Sequence, residues 1–124
     1  MDHQALEQQS FETEIKPFFW SEHADSVSLC LSDVDCYKTD VFATRADDGF
    51  EGNGYDWGSL AQVFIDEKHP EWQDIIKFDP EGSMFCVYTG MQNKEVLKAF
   101  ALAFKQACEN DKVILDLFSR AELD

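Results

Sequence analysis

The chain of 124 residues carries 25 Asp+Glu against 10 Lys+Arg, a formal net charge of −15, and its apolar share of 44% includes eleven Phe and three Trp. That length suits one domain able to bury roughly two-thirds of its unfolded surface without a disulfide or metal, and the apolar share excludes a disordered chain. So negative a protein lacks the basic patch that binds nucleic acid or an anionic membrane surface; it suits a basic protein partner, or simply solubility.

In chain order, residues 1–12 are polar and acidic and predict a frayed lead-in. Lys16–Ser21 and Ser26–Leu31 predict two strands, the second alternating with Val27, Leu29 and Leu31 on one face, and Glu22–Asp25 form a hairpin turn between them. Tyr37, Val41 and Phe42 recur near helical spacing and Gly49 can follow as a stop, so 37–47 is expected to be a helix. A strand over 36–43 is the alternative.

Gly49-Phe50-Glu51-Gly52-Asn53-Gly54-Tyr55 is the clearest loop, with three glycines in six residues. Asp56 is expected to cap the helix that follows. Trp57, Leu60, Ala61 and Phe64 then recur at helical spacing, so 57–67 is an amphipathic helix that Pro70 ends. Ile75–Phe78 and Ser83–Thr89 predict strands around a type I turn at Asp79-Pro80-Glu81-Gly82. Asn93 is expected to cap a long helix over 94–109, with Val96, Leu97, Phe100, Ala101, Phe104, Ala107 and Cys108 on its apolar stripe. Asp111 is expected to cap a last helix carrying Ile114, Leu117 and Phe118. Strand pairs set apart from helices predict an α+β domain spanning 1–124, with helices packed on a mainly antiparallel sheet built from hairpins.

No catalytic or metal-binding pattern emerges. Cys30, Cys36, Cys86 and Cys108 make no C-x-x-C pair and no metal-like spacing with His3, His23 or His69. Three of the thiols sit among apolar neighbours, as small core residues do. The residues 1–10 have no apolar run of a signal peptide, and no stretch reaches the roughly 18 apolar residues of a membrane span, so a reducing cytoplasm is the expected compartment. The glycine loop lacks the Lys of a phosphate-binding loop, and its glycines run in the wrong order for a dinucleotide fingerprint. No G-x-S-x-G elbow is present. Calcium is the fairer rival, since Asp47, Asp48, Glu51, Asn53 and Asp56 offer oxygen ligands, but they miss the EF-hand order. No metal and no cofactor is therefore expected.

The acids are unevenly spread. Residues 1–56 hold thirteen acids and three bases, while 57–124 hold twelve and seven. Asp33, Asp35, Asp40, Asp47, Asp48 and Glu51 thus mark the half to which an electropositive partner would be drawn. Phe50 and Tyr55 flank glycines in this polar stretch, either as anchors for a partner or as plugs that hold the loop to the domain.

The run Gly49–Trp57, then Ser59-Leu60-Ala61, Phe78-Asp79-Pro80-Glu81 and Ser83-Met84-Phe85, resembles the immunity protein 51 family. Phe100–Lys105 and Ala121-Glu122-Leu123 resemble that family's ending. The likeness runs from about residue 26 to 124, and Gly52-Asn53-Gly54-Tyr55-Asp56-Trp57 is its specific part. The resemblance implies an immunity protein of a bacterial polymorphic toxin system, a non-enzyme that binds and blocks a cognate toxin. Together with the charge, it predicts an acidic face at Asp33, Asp35, Asp40, Asp47, Asp48, Glu51 and Tyr55 docking on a basic toxin. Gly49, Gly52, Gly54, Asp56 and Trp57 would shape the loop and cap the helix. The alternative is a small calcium- or ligand-binding domain, or a hydrolase, using the loop 47–57.

Overall fold

The structure, a computed structural model, describes residues 3–32, 34 and 36–123. Two hairpins form one four-stranded antiparallel sheet: β1 (Phe19–Glu22) with β2 (Ser26–Leu31), and β3 (Lys77–Phe78) with β4 (Phe85–Gly90). They join through β2 and β4, giving the order β1-β2-β4-β3. The α+β architecture of helices on an antiparallel sheet of hairpins is therefore the one the sequence predicts.

The register explains where the core lies. Trp20, Leu29, Val87 and Phe78 form one row across all four strands, and Val27, Leu31 and Phe85 share their side. A strand's side chains alternate between faces, so this side is apolar and the other carries Phe19, Ser21, Ser28, Tyr88 and Lys77. Helices pack on the apolar side, where Trp57 and Phe104 meet Phe85. Cys30 and Cys86 oppose each other on the far side, with their sulfurs 3.1 Å apart.

Helices α3 (Gly54–Lys68), α4 (Lys94–Cys108) and α5 (Asp111–Phe118) close the core. On α4 the buried stripe is Leu97, Phe100, Ala101, Phe104, Ala107 and Cys108, with Val96 half-buried. Aromatic rings fill the centre: Trp57 lies within 6.1 Å of Phe18, Phe42, Phe85 and Phe104, ring centre to ring centre. Such pairs stabilise by about 1 kcal/mol each beyond the area they bury.

Several boundaries differ from the sequence reading. The expected lead-in is helical from His3, as α1 (His3–Glu14). Phe11 and Ile15 anchor its end, Phe11 meeting Trp20 edge-on at 5.1 Å. Two apolar residues four apart leave too little periodicity to mark a helix. The first strand begins at Phe19, after Pro17, not at Lys16. The single helix expected over 37–47 is split into α2 (Thr39–Ala43) and a helical turn at Ala46–Asp48. The second hairpin reverses at Glu81–Met84, whose backbone groups exchange bonds of 2.7 and 3.2 Å, rather than at Asp79–Gly82. Caps also move. Asn110, not Asp111, caps α5 by accepting the Val113 N–H, and Asn93 opens α4 without a side-chain bond because the turn Met91–Asn93 already leads into it.

Candidate functional site

The segment from Arg45 to Trp57 carries most of the acids singled out above, and its shape follows from a few bonds. The turn Ala46–Asp48 ends at Gly49, whose φ of 103° suits glycine. Arg45 fastens this turn to the C-terminal segment. Its Nη1 donates to the carbonyls of Phe118 at 2.7 Å and Ala121 at 2.6 Å, and its Nε donates to the Asp48 carboxylate at 2.9 Å. The guanidinium also lies 4.5 Å from the centre of the Phe50 ring. Phe50 is 3% exposed and packs against Phe118, whereas Tyr55 is 44% exposed. Phe50 is therefore a plug, and Tyr55 is the aromatic left at the surface.

Gly52, at a φ of 79°, turns the chain into α3. The helix starts at Gly54, so Asn53 is its cap and Asp56 lies one turn inside, correcting the expected Asp56 cap and start at Trp57. The two side chains form a reciprocal capping box: Asn53 Oδ1 accepts the Asp56 N–H at 2.9 Å, and Asp56 Oδ2 reaches back to the Asn53 N–H at 3.4 Å. The same Asp56 oxygen accepts the N–H groups of Glu51 at 2.7 Å and Gly52 at 2.8 Å. A buried carboxylate thus gathers three consecutive backbone donors.

Gly54 is fixed by a different contact. Its N–H donates to the Gly82 carbonyl at 3.1 Å, and a Cβ there would lie 1.8 Å from the Glu81 carbonyl oxygen. The hairpin turn of β3–β4 therefore rests on the first turn of α3. Trp57 is fully buried and stacks on Tyr37, with ring centres 5.7 Å apart and planes 3° from parallel. The Tyr37 hydroxyl donates to Glu109 at 2.5 Å, and this bond, with help from Lys105 and Lys38, holds the Glu109 carboxyl below the usual glutamate range.

These bonds divide the candidate residues into two groups. Asp56, Asn53 and the glycines hold the backbone, and their polar groups are already committed. Asp47, Asp48 and Glu51 point outward from that backbone; Asp40 is exposed on α2. Asp48 is paired with Arg45, and Glu51 accepts the Asn53 side-chain amide at 3.2 Å. Asp40 and Asp47 have no ion partner among the described residues, and Asp33 and Asp35 lie outside the described residues. Two of the five oxygen donors that a calcium ion would need, Asn53 and Asp56, are occupied by backbone N–H groups. Among the described residues no group of three or more His, Cys, Asp or Glu is arranged to hold a metal.

The sequence reading missed Arg45 and Leu123. Arg45 is a lone base in an acidic stretch, and only the fold brings its carbonyl partners from more than seventy residues away. Leu123 touches the loop at Gly49, where a Cβ would come within 2.9 Å of its side chain. Among the described residues no helix is long and apolar enough to cross a membrane. A family model described as immunity protein 51 matches residues 18–123. No curated protein and no solved structure matches.

Proposed function

The chain belongs to the immunity protein 51 family, and on that premise we propose that it neutralises a cognate toxin domain by direct, non-catalytic binding through its acidic loop. The observation that carries this reading is the pairing of exposed carboxylates with a locked backbone. Asp47, Asp48 and Glu51 stand on a segment fastened by the Asp56 carboxylate and by Arg45. A surface already ordered loses little conformational entropy on binding, and a field of one sign speeds encounter with a basic partner. Exposed Tyr55 supplies an aromatic contact beside the charges. Asp40 extends the acidic surface on α2, and Asp33 and Asp35 add two further acids to the segment before it.

The test uses a candidate toxin domain taken from a gene that neighbours the one for this chain. Co-expression is expected to rescue cells from that domain, and the two proteins are expected to co-purify. The variant Asp47→Lys/Glu51→Lys leaves Asp48 on Arg45 and the Asp56 bonds to the loop backbone in place, and gives up only the exposed Glu51 bond to the Asn53 amide. It is expected to associate more slowly, with a shallower dependence of rate on salt. Unchanged kinetics in a variant that still neutralises would remove the acidic loop from the reading. Absence of both rescue and complex formation would remove toxin neutralisation itself.

A further inference from the structure

The acidic loop borders a groove of about 600 Å³ that three distant parts of the chain build together. Its floor is the outward side of α3 at Gly58, Ser59 and Val63; one wall is Phe78 and Pro80 of the second hairpin, and the other is Glu122 and Leu123 of the segment after α5. Gly58 is buried beneath Pro80, whose ring a Cβ there would meet at 3.6 Å, an ordinary contact.

Five large apolar side chains are exposed among the described residues, and two of them, Tyr55 at 44% and Leu123 at 52%, stand on this groove. Its charge is negative. Asp66, Glu67 and Glu122 line it against the single base Arg120. That arginine is already held by Glu67 at 2.6 and 2.7 Å and by Asp116 at 2.7 and 2.9 Å, so it offers no free site for an anion. Asp66 accepts only neutral amides, from Gln62 and Gln73, both at 2.8 Å, and keeps its charge for a partner. Val63 and Phe78, the exposed Tyr and Leu, and the acidic rim together match one kind of occupant.

We infer that this groove seats a surface segment of the toxin in which an apolar side chain is flanked by lysine or arginine. The apolar side chain fills the space over Val63 and Phe78, and its basic neighbours meet Asp66 and Glu122. Through the contact of Leu123 with Gly49 the groove continues into the loop bearing Asp47, Asp48 and Glu51, so groove and loop form one footprint. The inference rests on the toxin-binding reading above and adds to it the site where the contact is tightest. Charge on the loop steers the encounter; burial in the groove sets the lifetime of the complex.

Two variants test it against the same toxin domain. Ser59→Trp fills the groove from the helix, and Leu123→Arg places a like charge at its mouth on a side chain that is already half exposed. Each is expected to weaken binding roughly 30-fold or more, mainly through faster dissociation, with the thermal unfolding of the free protein unchanged. If wild-type protein binds and Leu123→Arg binds within about threefold of it, the groove is not the contact, while toxin binding stands. Should wild-type protein fail to bind, the toxin-binding reading falls first and the groove with it. Loss of folding in Ser59→Trp leaves Leu123→Arg to decide.

Discussion

Replacing Asp56 with alanine removes the acceptor on which the glycine loop closes. The carboxylate takes N–H bonds of 2.7 and 2.8 Å from Glu51 and Gly52 and a longer one of 3.4 Å from Asn53. Gly52 is buried, so its N–H would be left without a partner, at about 1–3 kcal/mol. Glu51 is exposed and can turn to water, so its bond to a charged acceptor is worth less, about 1 kcal/mol net. Loss of the reciprocal cap with Asn53 adds about 1 kcal/mol. The total for Asp56→Ala is about 3–5 kcal/mol, or a fall of roughly 10–20 °C in unfolding temperature for a domain of this size. Asp56→Asn keeps one oxygen in place without the charge and should cost about half as much. Urea unfolding followed by tryptophan fluorescence is the assay, since Trp57 is the next residue. An alanine variant within about 1 kcal/mol of wild type would refute the anchoring role. An asparagine variant as damaged as alanine would refute the account by acceptor geometry.

Gly54→Ala would gain helix propensity on a free helix, yet here it drives a methyl into the Glu81 and Met84 carbonyl oxygens, so the hairpin turn must move. The expected result is destabilisation by about 3 kcal/mol, read by the same unfolding experiment, and a neutral or stabilised variant would show that the turn does not rest there. Tyr37→Phe keeps the ring on Trp57 but removes the hydroxyl that contributes most to lowering the Glu109 pKa. A carboxylate lowered in the folded state stabilises above its unfolded pKa, and that contribution is lost as pH falls through the folded value. The stability gap between wild type and Tyr37→Phe should therefore be full near neutral pH and shrink below about pH 4.5, the ordinary glutamate range. A gap independent of pH would place the effect in packing instead.

Local periodicity made much of this molecule legible from its residues. The alternation of Val27, Leu29 and Leu31 marked β2 from Ser26 to Leu31, and the stripe from Leu97 to Cys108 marked α4, because each pattern is longer than the chance spacing of apolar residues. The glycine loop was legible as a loop for the same local reason. Its cap was not: Asn53 and Asp56 are both good cap residues three apart, and only the backbone bonds show that they act as a pair.

Sequence alone determined the α+β class, the two hairpins, the acidic excess before Trp57 and the family likeness, since each rests on residue type and short-range spacing. Tertiary structure decided the order β1-β2-β4-β3, because a strand's pattern shows which face is apolar but not which strand lies beside it. It also separated Phe50 from Tyr55. Both flank glycines, yet Phe50 meets Phe118 and the Arg45 guanidinium while Tyr55 faces the groove. That groove needs α3, the second hairpin and Leu123 at once. Only chain folding brings three such segments together, so no window along the sequence contains it.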